Sequence, residues 1–147
     1  MELIEITDNN LIKKYIGKLY GELFGTSSIP SDMSFQKVFD ELSDNTHFAY
    51  EVKCDNEVVA FVTLSESFSI FAHGRYGIIN ELWVHEDHRS KGIGQAVIQE
   101  LVEISHVYGW SRIDVTAPPS KSWNRTFEFY QKCGFEFTGR KLKMYPA

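Results

Sequence analysis

Apolar residues along this chain recur with two periods, and the order of the two periods predicts a mixed α/β fold. Apolar side chains that recur every three or four residues indicate one face of a helix, and short runs rich in β-branched and aromatic residues indicate strands. The predicted strands cover residues 3–6, 48–53, 58–64, 78–84, 113–117 and 135–144. The predicted helices cover residues 11–24, 35–42, 94–108 and 124–132. The strand–helix–strand unit between residues 78 and 117 predicts a parallel strand pair within a mixed sheet.

Cap and turn residues mark where several of these elements begin. Asp8 or Asn9 can cap the first helix and Ser34 the second, because their side-chain oxygens accept hydrogen bonds from the free amides of a first turn. Asp55 and Asn56 lie between the second and third strands, where this pair is typical of a hairpin turn. These signals predict an antiparallel hairpin in the first half of the chain.

Composition and charge narrow the class of protein. The chain has 147 residues, of which 43% are hydrophobic and 14% aromatic, which fits one domain with an ordinary core. Its formal net charge of −5 and its scattered basic residues argue against a nucleic-acid partner and favour a cationic one. No apolar run approaches the roughly 20 residues of a membrane span, and the first residues lack a signal-peptide pattern. We therefore expect a cytoplasmic protein without a membrane partner.

A charged turn containing two glycines joins the strand at 78–84 to the long helix. Its residues are Arg89, Ser90, Lys91, Gly92, Ile93 and Gly94. The first amides of a helix have no partner within the helix and lie at the positive end of its dipole. A glycine lets a ligand approach the backbone, and Arg89 and Lys91 add positive charge. The turn predicts a site for a phosphorylated ligand, although its spacing is neither that of a P-loop nor that of a dinucleotide fingerprint; the alternative is a solvated loop that carries glycines.

Two motifs, in this order, resemble those of the GNAT superfamily of N-acetyltransferases. The spacing Arg-x-x-Gly-x-Gly after the strand Leu82-Trp83-Val84 is similar to the acetyl-CoA-binding motif of the family. The later helix resembles the second family motif, with Asn124 near its start, then Phe129-Tyr130, and Gly134-Phe135 at its end. The resemblance implies a mixed, mostly antiparallel sheet with a central, splayed parallel strand pair flanked by helices. It also implies a single acetyltransferase domain over residues 1–147.

The resemblance further implies acetyl-CoA as co-substrate and no metal. In the family, the pantetheine arm pairs with the exposed backbone of the splayed strand, and the diphosphate binds the amides of the glycine turn. The residue matching Asn124 holds the pantetheine or a water, and Lys132 is placed to approach the adenosine phosphate. The implied cofactor-binding residues are Leu82, Trp83, Val84, Arg89, Ser90, Lys91, Gly92, Ile93, Gly94, Asn124, Tyr130 and Lys132.

Acetyl transfer to an amine needs a base for the amine proton, a donor for the carbonyl oxygen and an acid for the departing thiolate. The resemblance assigns the acid to Tyr130, whose counterpart in the family points its hydroxyl at the CoA sulfur. Glu81 is the candidate base or ammonium anchor, on the strand face opposite Leu82 and Val84; the alternative is a surface strand residue. A backbone N–H near Val84 is the candidate donor to the carbonyl oxygen. The two cysteines, Cys54 and Cys133, are predicted to be free thiols.

These observations predict an acetyl-CoA-dependent N-acetyltransferase in which a primary amine attacks directly in a ternary complex. The acceptor classes are aminoglycoside-like compounds, polyamines, amino acids and peptides, and residues 25–32 and the predicted loop 71–77 are expected to choose among them. Acidic residues that could receive an ammonium group are Asp32, Asp40, Asp44 and Glu66. The alternatives are a non-catalytic acyl-CoA-binding regulator and an enzyme acting on a protein N-terminus or lysine. The resemblance also allows a homodimer through the C-terminal strands.

Overall fold

The fold is known from a computed structural model that describes residues 1–42, 45–117 and 124–146. Its strands are β1 (Glu2–Glu5), β2 (His47–Cys54), β3 (Glu57–Ser69), β4 (Gly74–Val84) and β5 (Ile113–Val115). Its α-helices are α1 (Asn9–Phe24), α2 (Asp32–Glu41), α3 (Ile93–Tyr108) and α4 (Asn124–Lys132). The predicted α/β order is confirmed for these elements.

One five-stranded sheet runs in the order β1-β2-β3-β4-β5. The pairs β1–β2, β2–β3 and β3–β4 are antiparallel, and β4 and β5 form the predicted parallel pair. The predicted fold class, a mixed and mostly antiparallel sheet with helices, is therefore confirmed. The parallel pair lies at one end of the sheet of the described residues, whereas the resemblance implied a central position.

The predicted final strand is wrong. Residues 135–146 form no strand in the described part of the chain. Phe135 packs against the core beside Tyr130, but Phe137 is 63% exposed and Leu142 is 91% exposed, so the rest of the segment does not present a buried apolar face. A strand is stabilised by a partner's hydrogen bonds and by one buried face, and the sequence pattern alone supplies neither. A homodimer through this segment stays a prediction.

Two further predictions need correction at the ends of elements. Ser31, not Ser34, caps α2, and its Oγ accepts a hydrogen bond from the Ser34 amide at 3.2 Å. The two serines are three positions apart, so the second supplies the amide that the first one caps. The predicted loop 71–77 is mostly strand, because β4 already begins at Gly74 and pairs there with Ser69.

Two local predictions are confirmed, and the end of α3 is set by an equally local feature. Asp8 caps α1, since its Oδ1 accepts a hydrogen bond from the Asn10 amide at 2.9 Å. Asp55 and Asn56 both have positive φ, 52° and 65°, as the first hairpin requires. Gly109 ends α3 in the left-handed region, with φ 70°.

Apolar side chains cover both faces of the sheet. One buried cluster joins the sheet to α3 and α4 and includes Val62, Leu64, Val97, Leu101 and Tyr130. The other joins the opposite face to α1 and α2 and includes Ile12, Tyr15, Phe35, Phe61 and Trp83. Consecutive β3 residues such as Phe61 and Val62 thus belong to opposite faces, as the strand period requires. Among the described helices, none is both long and apolar enough to cross a membrane.

Candidate active site

The parallel strands β4 and β5 separate soon after they meet. Their pairing covers Gly77 to Ile79 of β4 and Ile113 to Val115 of β5. The register between β3 and β4 shifts at the same point, because Leu64 pairs with Ile79 and Thr63 with Glu81. Asn80 is the extra residue of this β-bulge, and a bulge bends its strand and interrupts local pairing. Within the described residues, β4 therefore continues from position 80 to 84 without a partner on the β5 side.

The backbone of Leu82 and Val84 faces this open side. The His85 amide donates to the Val59 carbonyl at 2.8 Å, which makes that pair of residues a hydrogen-bonded one. Hydrogen-bonded and non-hydrogen-bonded pairs alternate along an antiparallel ladder, so the N–H and C=O groups of Val84 and Leu82 point away from β3. The Val84 carbonyl accordingly accepts a hydrogen bond from Arg89 Nε at 2.8 Å. Extended backbone of this kind can bind an amide-bearing chain as an added strand would.

Glu81 lies at the beginning of the open stretch and is half-buried. The Thr63 hydroxyl donates a hydrogen bond to its Oε2, and the Glu81 amide donates to Thr63 Oγ1 at 3.1 Å. Burial raises the pKa of Glu81, and the hydrogen bond from Thr63 partly lowers it. A carboxylate with a raised pKa is a stronger base than an ordinary surface glutamate.

The Glu81 carboxylate lies on the face of the sheet that packs against α1. Trp83 is buried on that face and its ring centroid lies 5.8 Å from that of Tyr15. Burial, and then the negative charge of Glu81, raise the pKa of Tyr20 on α1. Leu82 and Val84 pack instead against the cluster under α3 and α4. The structure thus places Glu81 and Leu82 on opposite faces of β4, beside the opening between β4 and β5.

The glycine turn leads into α3, whose first backbone amides have no partner within the helix and can bind an anion. Gly92 is the N-terminal cap with φ 80°, and no side chain of the described residues caps the helix there. A Cβ at Gly92 would meet no atom of residues 1–42, 45–117 and 124–146 within 4 Å, so these residues leave space beside the turn. Ser90 also has positive φ, 61°, and such turns direct successive N–H groups into a concave anion site. These residues fit a diphosphate group.

The basic side chains of the turn contact protein groups. Arg89 Nη2 lies 2.5 Å from Glu22 Oε2 on α1, and Glu22 Oε1 accepts a hydrogen bond from Trp83 Nε1 at 3.2 Å. Lys91 Nζ donates to the Asp87 carbonyl at 2.7 Å. Arg89 thus joins the turn to β4 and α1, and Lys91 joins two parts of the turn; their cofactor-binding roles stay predictions.

Position 94 requires a glycine for a reason that the sequence did not indicate. A Cβ there would lie 2.8 Å from Phe129 Cζ, because the first turn of α3 packs directly against α4. Gly92 faces open space, whereas the absence of a Cβ at Gly94 brings the two helices together.

We expect Gly94→Ala to destabilise the protein by about 1–2 kcal/mol, the usual effect of overpacking a tight contact. Urea unfolding measures this loss. In a Phe129→Leu background, the same change is expected to be milder, because the colliding Cζ is gone. Two results would contradict a helix-packing role for Gly94: a stability loss below about 0.5 kcal/mol when Gly94→Ala is the only change, or an equal loss with and without Phe129→Leu.

Tyr130 lies in the cluster beneath α3 and α4. It is 9% exposed, and its ring contacts Phe129 and Phe135 at centroid distances of 5.2 and 5.5 Å. Burial, with a smaller contribution from the charge of Cys133, raises the pKa of Tyr130 to about 12. The hydroxyl is therefore protonated at neutral pH and can donate a proton or a hydrogen bond.

The two polar residues predicted on α4 are at its two ends. Asn124 is its first residue and Lys132 its last, and both are exposed. They are about 12 Å apart along the helix axis, given the rise per residue of an α-helix. This separation suits contacts with different parts of an extended ligand, and the assigned roles stay predictions.

Two contributors to the site were missed in the sequence. Thr63 was not predicted, although a hydroxyl in the apolar run at 58–64 was an available signal. Glu22 was not predicted because nothing in the helical pattern of α1 indicates that it reaches Trp83 and Arg89.

The acidic residues considered for ammonium binding have partners of their own where they are described. Asp32 pairs with Lys13, and Asp40 accepts a hydrogen bond from Gln36 at 2.8 Å. Glu66 accepts a hydrogen bond from Trp110 Nε1 at 2.7 Å. Asp44 lies outside the described residues.

Residues 85–88, a turn with two histidines and two acidic residues, resemble metal ligands in composition only, and the two cysteines are also located. In residues 1–42, 45–117 and 124–146, no group of three His, Cys, Asp or Glu side chains could hold a metal ion. His85 Nδ1 instead accepts a hydrogen bond from the Asp87 amide at 3.2 Å. Cys54 and Cys133 are free, as predicted.

One family model and several solved structures are similar to this chain. The model of the acetyltransferase (GNAT) family matches residues 15–135. No curated protein matches the sequence. Among solved structures, a transcriptional regulator from Bacillus halodurans C-125 has a TM-score of 0.79 at 20% identity, with 98% of each chain covered. An aminoglycoside acetyltransferase from an uncultured soil metagenomic sample has a TM-score of 0.73 at 19% identity, with 100% of each chain covered. A ribosomal-protein-alanine N-acetyltransferase from Brucella melitensis biovar Abortus 2308 has a TM-score of 0.70 at 20% identity, with 99% of each chain covered.

Proposed function

We propose, because this chain belongs to the GNAT acetyltransferase family, that it transfers an acetyl group from acetyl-CoA to the primary amine of a small cationic acceptor. Members of this family use acetyl-CoA as the acyl donor. The observation that carries the proposal is the position of Glu81, a half-buried carboxylate where β4 leaves β5. The open backbone of β4 and the uncapped amides of α3 lie on the same stretch of chain and fit an extended, phosphorylated co-substrate.

The described residues can supply each proton and hydrogen bond that the reaction needs. Acetyl-CoA supplies an activated thioester when bound. A Glu81 carboxylate oxygen takes a proton from the acceptor ammonium, directly or through water, which leaves the amine free to attack. The Val84 N–H, which faces the open side, donates to the carbonyl oxygen as negative charge develops there. As the C–N bond forms and the C–S bond breaks, Tyr130 Oη gives its proton to the departing sulfur. The second proton that the amine nitrogen loses passes to solvent, from which Tyr130 is reprotonated.

The acceptor class rests on charge. The formal net charge of −5 and the carboxylate at Glu81 favour an acceptor with a positive charge. One structural neighbour is described as an aminoglycoside acetyltransferase and another as a ribosomal-protein-alanine N-acetyltransferase. At 19% and 20% identity these likenesses bear on the fold, so the choice among aminoglycosides, polyamines, amino acids and peptides depends on experiment. Residues 25–32 and 71–77 are the proposed selectors. A cytoplasmic location, a single domain and the absence of nucleic-acid and membrane partners belong to the same proposal.

We expect one class of amine to release thiol from acetyl-CoA in the presence of this protein. The measurement is thiol release across a panel of aminoglycosides, polyamines, amino acids and short peptides. Acetyl-CoA binding is measured in parallel by calorimetry. Release with peptides alone would move the assignment to a protein N-terminus or lysine. Binding without release across the panel would favour a non-catalytic acyl-CoA-binding regulator. Absence of binding would contradict the co-substrate assignment.

A further inference from the structure

We propose, on the basis of the function proposed above, that Thr63 is a positioning residue that holds the Glu81 carboxylate in place for the acceptor amine. Its hydroxyl donates to Oε2 of Glu81, which leaves Oε1, unbonded within the described residues, for the acceptor. Thr63 lies on β3 directly opposite Glu81 in the strand register. The two residues are the first pair beyond the bulge at Asn80, where β4 separates from β5.

Two hydrogen bonds fix the orientation of the threonine hydroxyl. The Glu81 amide donates to Oγ1 at 3.1 Å, so the oxygen is already an acceptor. A hydroxyl has one hydrogen to give, and here it is directed to Glu81 Oε2. One side chain therefore binds both the backbone and the carboxylate of the same residue. This arrangement removes rotational freedom from the Glu81 side chain before an acceptor arrives.

The surroundings of Thr63 are those of a core residue. It is 1% exposed, and its neighbours Phe61, Val62 and Leu64 are fully buried and apolar. Burying a hydroxyl there is unfavourable unless its hydrogen bonds are made. Valine has the same shape and would fill the same space without that cost. The hydroxyl is thus explained by Glu81, the group to which both of its hydrogen bonds run.

The electrostatic effect of the bond opposes that of burial. Burial disfavours the ionised carboxylate and raises the pKa of Glu81, and a hydroxyl donating to that carboxylate lowers the pKa. From α1, the titratable group that interacts with Glu81 is Tyr20, whose pKa burial and the Glu81 charge both raise. A neutral Tyr20 adds no charge beside the carboxylate. Removing the Thr63 hydroxyl is therefore expected to raise the pKa of Glu81 further.

A purely structural role for Thr63 predicts something different. If its hydroxyl served the Glu81 amide alone, its loss would change stability without changing the titration of the carboxylate. Thr63→Val removes the hydroxyl and keeps the β-branched shape, whereas Thr63→Ser keeps the hydroxyl and removes a methyl group. The two variants thus separate the hydroxyl from packing.

The first experiment is a carbon-13 NMR titration of the Glu81 side-chain carboxyl in the ligand-free protein, with Glu81→Gln used to assign the signal. We expect Thr63→Val to move the midpoint upward by about one pH unit, a shift typical of losing one hydrogen bond to a carboxylate. Thr63→Ser is expected to keep the wild-type midpoint. An unchanged midpoint in Thr63→Val, or equal shifts in both variants, would overturn the proposal.

A second measurement needs no Thr63 variant and so holds even if Thr63→Val does not fold. The Thr63 Cβ signal of the wild-type protein is expected to titrate with the same midpoint as the Glu81 carboxyl. In Glu81→Gln, this titration is expected to vanish. A Thr63 Cβ chemical shift that does not change as Glu81 ionises would overturn the proposed hydrogen bond between Thr63 and the Glu81 carboxylate.

The pH dependence of kcat/KM, measured with the panel acceptor that releases thiol fastest, separates this inference from the proposed function. A general base works when deprotonated, so the acid limb of Thr63→Val is expected to move to higher pH, and that of Thr63→Ser to stay. If NMR shows that the Thr63 hydroxyl affects the titration of Glu81 but no acceptor releases thiol, the proposed acetyltransferase function fails and the Thr63 inference stands. Thiol release that depends on Glu81 together with no NMR coupling would count against Thr63 alone.

Discussion

Replacing Glu81 with glutamine is expected to lower kcat/KM for amine acetylation by about 100- to 1,000-fold at neutral pH, the usual effect of removing a general base. Glutamine has nearly the same shape and can still accept the hydrogen bond from Thr63, but it cannot take a proton. Acetyl-CoA affinity is expected to change by less than about threefold, because co-substrate binding is assigned to the β4 backbone and the α3 amides. Steady-state kinetics with the panel acceptor and calorimetry with acetyl-CoA measure the two quantities.

The pH profile tests whether the ionised Glu81 carboxylate is required, as a base or as an anchor for the acceptor ammonium. The wild-type rate is expected to fall as pH drops through the raised pKa of Glu81, and the profile of Glu81→Gln is expected to lack this limb. The folded-state pKa is above its ordinary value, so the carboxylate's effect on stability is most favourable at low pH and is lost as pH rises through that pKa. At neutral pH, Glu81→Gln is therefore expected to unfold at an equal or higher urea concentration than the wild type.

A matched control is available on α3. Glu100 is exposed on that helix, and Glu100→Gln changes the net charge by the same amount as Glu81→Gln. Its rate is expected to stay within about twofold of the wild type, as for a surface substitution away from the site. Retention of more than a third of the wild-type rate by Glu81→Gln, or an equal loss in Glu100→Gln, would contradict the assignment of Glu81 as the base.

The elements that the sequence predicted well are those whose signals are local. The helical stripe of α1, the cap at Asp8 and the turn at Asp55-Asn56 depend on neighbours within a few positions. The ends of β3 and β4 do not. Residues 66–69 are mostly polar and lack alternation, yet they extend β3 because β4 offers a hydrogen-bonding partner at each position. The same reasoning explains why residues 135–144 look like a strand in the sequence and are not one.

The site shows the same division between local and long-range signals. The period-two rule placed Trp83 on the face opposite Leu82, and the structure agrees. The bulge at Asn80, by contrast, depends on the register of two strands. Because Thr63 meets Glu81 through that register, no pattern around either residue alone could reveal the pair.

Tyr130→Phe is expected to lower kcat by about 100-fold, a typical effect of removing a general acid. Phenylalanine keeps the ring that packs against Phe129 and Phe135, so the change removes only the hydroxyl. The pKa of about 12 means that the hydroxyl still carries its proton well above neutral pH. Tyr130 is therefore expected to cause no fall in the wild-type rate between about pH 7 and 10, given that its pKa is above the reference value.

The control for Tyr130 is Tyr145→Phe, since Tyr145 is an exposed tyrosine of the C-terminal segment, and its rate is expected to match the wild type. In Tyr130→Phe, the KM for acetyl-CoA is expected to stay within about threefold, because an acid acts on the transition state more than on the bound ground state. A selective rise in that KM with kcat unchanged would show that the hydroxyl binds the co-substrate instead. An unchanged kcat and KM would show that the thiolate departs without a proton from Tyr130, and the acid would then have to be sought in solvent.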